Sequence, residues 1–172
     1  MESKQRRENI YKLLVESNVP IKGSEIAKKY NVTRQVIVKD IAILRAKGDK
    51  IIATPDGYII HTHTDSERVK AVIAVMHNDK GLYDEMSTII KYGGIVEDVI
   101  VEHPLYGEIR GMLMVKNYNE VTKFCDKCKK KKAKLLSVLT NGIHLHTISA
   151  ETKEQINDII KELKEKKIII SE

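Results

Sequence analysis

A chain of 172 residues, 42% hydrophobic and 31% charged, with two cysteines, is neither a disordered polymer nor a disulfide scaffold. No apolar run approaches the roughly 18 residues of a membrane helix, and the polar start MESKQRRENI has no signal-peptide pattern, so the expected compartment is the cytoplasm. The net charge of +6 is uneven: residues 1–60 hold 12 Lys/Arg against 7 Asp/Glu, and residues 61–172 hold 18 against 17, which directs any polyanion to the first third.

Ile10, Leu13 and Leu14 predict a helix over about Ser3 to Glu16, broken by Ser17-Asn18-Val19-Pro20. Gly23-Ser24 opens a short helix with Ile26, Ala27 and Tyr30 on one face. After the tight turn at Asn31-Val32, Thr33 caps a third helix whose Ile37, Ile41 and Leu44 repeat at helical spacing, and Gly48 ends it. Ile51-Ile52-Ala53 and Tyr58-Ile59-Ile60 flank Thr54-Pro55-Asp56-Gly57, a β-hairpin. Helix, short helix, tight turn, helix and hairpin make a winged helix-turn-helix over residues 1–62. Thr33, Arg34, Gln35 and, one turn on, Lys39 form the solvent face of the third helix. Arg and Gln there reach base edges, and Thr and Lys hold phosphates. The alternative is a three-helix domain used for protein contacts, with ordinary solvated charges.

His61-Thr62-His63-Thr64-Asp65-Ser66 is a polar linker whose two histidines read as solvated. Residues 66–172 predict a second domain. Val69 to Val75 is a strand. Asn78-Asp79-Lys80-Gly81 opens a helix with Leu82, Met86, Ile89 and Ile90 on one face, stopped by Gly93-Gly94. Ile95 to Val101 and Ile109 to Val115 are strands. Val121, Phe124, Cys125 and Cys128 stripe a second helix, which makes the Cys-x-x-Cys better read as core packing than as a metal or redox motif. The lysine run that follows (Lys127, Lys129, Lys130, Lys131, Lys132 and Lys134) reads as a solvated helix end. Leu135 to Leu139 and Ile143 to Ile148 are expected as strands joined by Asn141-Gly142. Thr152 to Gln155 is a capping box for a last helix carrying Ile156, Ile159, Ile160 and Leu163. The expected class is α+β, with helices on one face of a mixed sheet in the C-terminal sandwich.

Chemistry concentrates on the histidines. His144 and His146 are i, i+2 on a strand and share a face. Glu85 lies three residues after Leu82 and four before Ile89, at the border of a buried stripe, where a carboxylate needs a partner. His77 sits just upstream, at the end of the first strand of this domain. Three imidazoles and one carboxylate suit a divalent transition metal such as zinc or nickel.

Two resemblances cover nearly the whole chain. Val32 to Ile41, continuing through Leu44-Arg45-Ala46-Lys47-Gly48, resembles the biotin-repressor type of helix-turn-helix, in which S/T-R-Q opens the recognition helix. Ala71-Val72-Ile73-Ala74-Val75 leading to His77, Val99 to Ile109, and Gly142-Ile143-His144-Leu145-His146-Thr147-Ile148 are similar to the blocks of the three-histidine domain. That domain occurs behind this helix-turn-helix in the niacin-responsive transcriptional repressors of bacteria.

The resemblance implies a homodimeric repressor on a palindromic operator. It further implies nicotinic acid as co-repressor for genes of niacin uptake and NAD biosynthesis, and a metal held by three His and one Glu at His77, Glu85, His144 and His146. His103 matches a further family histidine; Pro104 restricts its backbone, so it is assigned to the ligand pocket rather than to the metal. Arg110, the arginine nearest that block, is expected to pair with the ligand carboxylate. One rival makes the metal itself the effector. Another is an enzyme, since a His/Glu site can activate water; four protein ligands and no spare general base speak against it.

Overall fold

The structure, a computed structural model, describes residues 2–60, 68–78, 80–131 and 134–170. The chain divides into two compact units, residues 1–66 and 67–172. His61 and His63 lie outside the described residues.

In the first unit, α1 (Ser3–Val15), α2 (Gly23–Lys29) and α3 (Arg34–Ala46) precede the strands β1 (Ile51–Thr54) and β2 (Gly57–Ile60). Ile10, Leu14, Ile26, Ile37, Ile41, Leu44 and Ile51 form its core. Thr33 caps α3 by accepting a hydrogen bond from the Val36 N–H. Ile21 exchanges two backbone hydrogen bonds with Tyr58, which ties the loop before α2 to the hairpin. One feature lies beyond the sequence reading. Asp40 is buried on α3 and receives Arg6 at 2.6 Å and Arg7 at 3.4 Å from α1. Two of the basic residues in this part are therefore used inside the fold.

The second unit runs β3 (Val69–Met76), α4 (Leu82–Lys91), β4 (Ile95–His103), β5 (Gly107–Val115), α5 (Tyr118–Lys131), β6 (Ile143–Ala150) and α6 (Lys153–Glu165). The sheet order is β3-β6-β4-β5. The α+β class is as expected, but the pairs are antiparallel throughout rather than mixed. β3 and β4 flank β6 instead of pairing with each other, and β6 returns between them, antiparallel to both. That placement also explains a second difference. Leu136–Thr140 is a 3-10 turn, not a strand. Both edges of β6 are taken, so no edge remains for a hairpin partner. Asn141 keeps the left-handed conformation its sequence announced, but it turns the chain out of a 3-10 turn rather than out of a strand.

Alternation on the strands sorts the residues. Ile73 and Val75 of β3 face the same way as His146 and His144, their partners on β6. With Ile148, Val96, Met86, Ile89, Val121, Ile159 and Leu163 these aliphatics build one core between the sheet and the helices. Val72, Met76 and Ile143 point to the other face and are exposed. The α6 capping box forms as expected, with Thr152 and Gln155 bonding reciprocally.

Candidate metal centre and nucleic-acid interface

Three elements deliver four side chains to one buried point. The loop after β3 supplies His77, α4 supplies Glu85, and β6 supplies His144 and His146. Glu85 is fully buried, and none of the three imidazoles is more than 7% exposed at the side chain. One carboxylate oxygen of Glu85, Oε2, lies 2.6 Å from His77 Nε2 and 3.7 Å from His144 Nε2. The other, Oε1, lies 3.3 Å from His146 Nε2. The imidazole rings of His77 and His146 each stand edge-on to that of His144, at 4.8 Å between centroids.

The backbone fixes which nitrogen each ring presents. His77 Nδ1 meets the Asn78 carbonyl at 2.7 Å, and His144 Nδ1 meets the Gly142 carbonyl at 2.9 Å. His146 Nδ1 meets the Asp98 carbonyl. A carbonyl only accepts, so each Nδ1 carries the proton and each Nε2 turns toward Glu85. Such an outer hydrogen bond is how a metal-ligating imidazole is oriented.

Against β6, β4 carries one extra residue between Val96 and Ile100, which brings the Asp98 carbonyl over His146; against β5 the extra residue lies on β5, between Met112 and Val115. The Asp98 carboxylate is held in turn by the Thr147 N–H at 2.8 Å and by Arg110 at 3.0 Å. Room for His77 comes from two glycines. A Cβ on Gly81 would sit 2.7 Å from the His77 Cβ, and one on Gly142 would sit 2.7 Å from the His77 carbonyl oxygen.

The electrostatics mark the cluster as incomplete in protein atoms alone. Burial pushes the Glu85 carboxyl up, but the charge of His146 and the imidazole nitrogens of His144, His146 and His77 beside it outweigh this and hold it well below the usual carboxylate range. Burial pushes His146 down, and the Glu85 charge overcomes this and raises it. Yet Glu85 Oε1 and His146 Nε2 lack a hydrogen-bond partner although both are buried. Their 3.3 Å approach pairs charges without an aligned bond. Buried polar atoms without partners are rare in folded proteins and call for an explanation, an ion among them. His77, Glu85 and His144 offer ligand atoms all within 4.8 Å of one another. The donor set fits a divalent transition metal.

Two cavities reach this cluster. One, of about 650 Å³, is lined by His77, Lys80, Met76, Ser137 and Gly142 among others. The second, of about 500 Å³, has His144 on its wall with Glu102 and Glu108. Neither is lined by His103 or Arg110. His103 Nδ1 accepts from the Leu105 and Tyr106 N–H groups, closing the turn between β4 and β5. Arg110 pairs with Asp98 and, at 3.3 Å, with Glu108. The sequence reading missed Lys80 and the three outer carbonyls. The Asn78 and Gly142 carbonyls lie one and two residues from their histidines, the only proximity signal the sequence held.

In the first unit, Thr33, Arg34, Gln35 and Lys39 are all exposed at the start of α3. The Thr33 hydroxyl is engaged by its own helix cap. These residues lie at the start of the helix that helix-turn-helix proteins lay in the major groove.

The helical unit with its hairpin wing defines a DNA-binding regulator of the winged helix-turn-helix class, here carrying a second domain with a buried imidazole–carboxylate cluster. Residues 6–59 match a helix-turn-helix (HTH) domain model, and residues 70–172 match the 3H domain. The chain is 40% identical over 168 residues to the probable transcription repressor NiaR of Thermotoga maritima, covering 98% of this chain and 95% of that protein. It is 39% identical over 172 residues to the transcription repressor NadR of Bacillus subtilis, covering 97% and 94%. The chain belongs to the NiaR/NadR family of 3H-domain transcription repressors. No helix among the described residues is long and apolar enough to cross a membrane.

Proposed function

We propose that this repressor holds a divalent transition metal, zinc or nickel, at His77, Glu85, His144 and His146, and that nicotinic acid is its co-repressor. The observation that carries the metal is the shared orientation of the three rings. Each Nδ1 is tied to a carbonyl, and each Nε2 converges on one buried carboxylate, where Glu85 Oε1 and His146 Nε2 are left without hydrogen-bond partners. Bound there, the cation supplies positive charge and a coordination seat for a pyridine nitrogen.

The ligand assignment rests on the family resemblance. The cavity beside His77 suits it: about 650 Å³ lies within the range of small-molecule sites, roughly 300–1,000 Å³, and Lys80 brings an ammonium for a carboxylate. The cavity beside His144 carries Glu102 and Glu108, which repel an anion. His103 and Arg110, expected at the ligand, shape this end of the domain instead through the β4–β5 turn and the Asp98 support of His146.

The regulated output is DNA binding, not turnover. A homodimer sets two copies of α3 about 34 Å apart, one turn of DNA, on a palindromic operator. Nicotinate acts only through unequal affinity for the DNA-competent and other states. The genes it controls are those of niacin uptake and NAD biosynthesis, and the repressor works in the cytoplasm.

The test is operator affinity measured with nicotinate, nicotinamide and benzoate, each with and without a chelator. Nicotinate should tighten binding. Nicotinamide lacks the charge and benzoate lacks the nitrogen, so both should act weakly. Chelation should abolish the response and spare basal binding. Equal effects of nicotinate and nicotinamide would overturn the niacin reading. A second reading, with the metal itself as effector, draws on the near-complete burial of all four donors, a set that closes on an ion without help. It predicts that metal alone tightens operator binding and that nicotinate adds nothing.

A further inference from the structure

The chain has two cysteines, Cys125 and Cys128, one turn apart on α5. Both are thiols, Cys125 buried and Cys128 half-buried. Their place on the apolar stripe of the helix predicts simple packing. The structure bears this out, with Cys125 in the core and Cys128 packed against it, and adds one feature. Both border a cavity of about 450 Å³, walled by Leu82 of α4 and by Leu135, with Lys80 and Lys129 also on its lining. Here the two thiols wall an open space that a further atom can enter.

The chemistry narrows the occupant. Burial pushes the Cys125 thiol up, the neighbouring Cys128 pushes it further, and the Lys129 ammonium only partly opposes this. A protonated thiol is a poor nucleophile, which argues against a peroxide or disulfide sensor. What relieves two adjacent sulfurs is a cation bridging them, and residues i and i+3 of a helix stand close enough to share one. Zinc would need four donors. Among the described residues, the one cluster of three or more His, Cys, Asp or Glu donors is at His77, Glu85 and His144, so the cysteines act as a pair. Two soft thiolates select a soft monovalent cation of the copper(I) type, which accepts two-coordinate binding.

We propose that Cys125 and Cys128 form a second metal site, separate from the histidine cluster, that takes a soft monovalent cation such as copper(I). On binding, both S–H bonds break, two protons go to solvent and two sulfur–copper bonds form, with no change in oxidation state. The resulting bis-thiolate complex carries one negative charge. The exposed Lys80 and Lys129 stand at the cavity to offset it.

The test uses the full-length protein, reduced and anaerobic, titrated with copper(I) against a chromogenic copper(I) chelator. The protein should withdraw one equivalent per chain and develop an ultraviolet thiolate-to-copper band. The variant Cys125→Ala/Cys128→Ala should lose both the equivalent and the band. It should keep its divalent metal and a cooperative melt, whereas His144→Ala should keep the copper. A double variant that withdraws as much copper as the parent, or a parent that withdraws none, would overturn the proposal. A second measurement needs no variant: bound copper(I) should protect both thiols of the parent from alkylation. Labelling that proceeds equally with and without copper(I) would also overturn it.

Discussion

Asp40 and Glu85 are the same event in two parts of the molecule, with opposite outcomes. Asp40 lies three residues after Ile37 and four before Leu44; Glu85 lies three after Leu82 and four before Ile89. Each is a carboxylate on the border of a buried helical stripe, and each is buried. Asp40 is met by two guanidiniums, Arg6 and Arg7, which never give up their protons. Glu85 is met by three imidazoles, each of which can be neutral, and one of its oxygens is left without a hydrogen bond. Identical spacing thus tells only that a partner is required. Permanent cations from α1 make a strut between helices, and convergent Nε2 atoms make a donor set that could hold a metal ion.

The largest expected effect breaks the strut. Asp40→Ala leaves Arg6 and Arg7 facing a buried gap, and removing one member of a buried pair costs about 3–5 kcal/mol. Thermal or urea unfolding should show the first unit melting earlier, with operator binding lost at the same point. The divalent metal content of the second unit should not change. If metal is lost together with helix stability, the two carboxylates are not independent.

The complementary variant is Glu85→Gln. It conserves shape and removes the charge that opposes three imidazole donors. Elemental analysis should show the bound divalent ion lost, with the first unit folding unchanged. A Glu85→Gln protein that retains stoichiometric metal would reduce Glu85 to a structural partner of the histidines.

Below these in size comes the surface of α3. Arg34→Ala should cost about 1–3 kcal/mol of specific operator binding and leave the melt unchanged. Lys39→Ala should weaken all sequences alike and flatten the salt dependence. Operator affinity measured across salt concentrations separates the two. If both variants keep full affinity, the exposed start of α3 is not the reading head.

Local signals carried much of this far. Thr33 as a cap, the Thr152–Gln155 box, and His144 and His146 on one strand face are all decided within a few residues, and all appear in the structure. What the sequence did not disclose depends on distant neighbours. Nothing near Leu136 says that both edges of β6 are occupied, so a 3-10 turn was read as a strand. The extra β4 residue that offers the Asp98 carbonyl to His146 depends on the pairing with β6, a strand far along the chain. Gly81 and Gly142 read as turn residues, and only the fold shows both pressed against His77. Arg6 counted as surface charge until α1 packed on α3.

The smallest expected effect tests a third carboxylate, a partly exposed counterpart to the two buried ones. Glu162 on α6 accepts from Lys91 at 2.6 Å, from Tyr92 at 2.7 Å and from Lys166 at 3.0 Å. The hydrogen bonds from Lys91, Tyr92 and Lys166, in that order, pull its carboxyl from 4.5 down to about 2. A carboxyl depressed in the folded state stabilises it above the unfolded value, and that contribution is lost as pH falls through the folded value. The advantage of the parent over Glu162→Gln should therefore be complete at pH 7, shrink below about 4.5 and vanish near 2. Because these groups face solvent, salt should shrink it as well. Paired melting curves across that pH range, at low and high salt, read the difference directly. A gap between parent and variant that persists at pH 2 would assign the effect to lost packing of the side chain rather than to its charge.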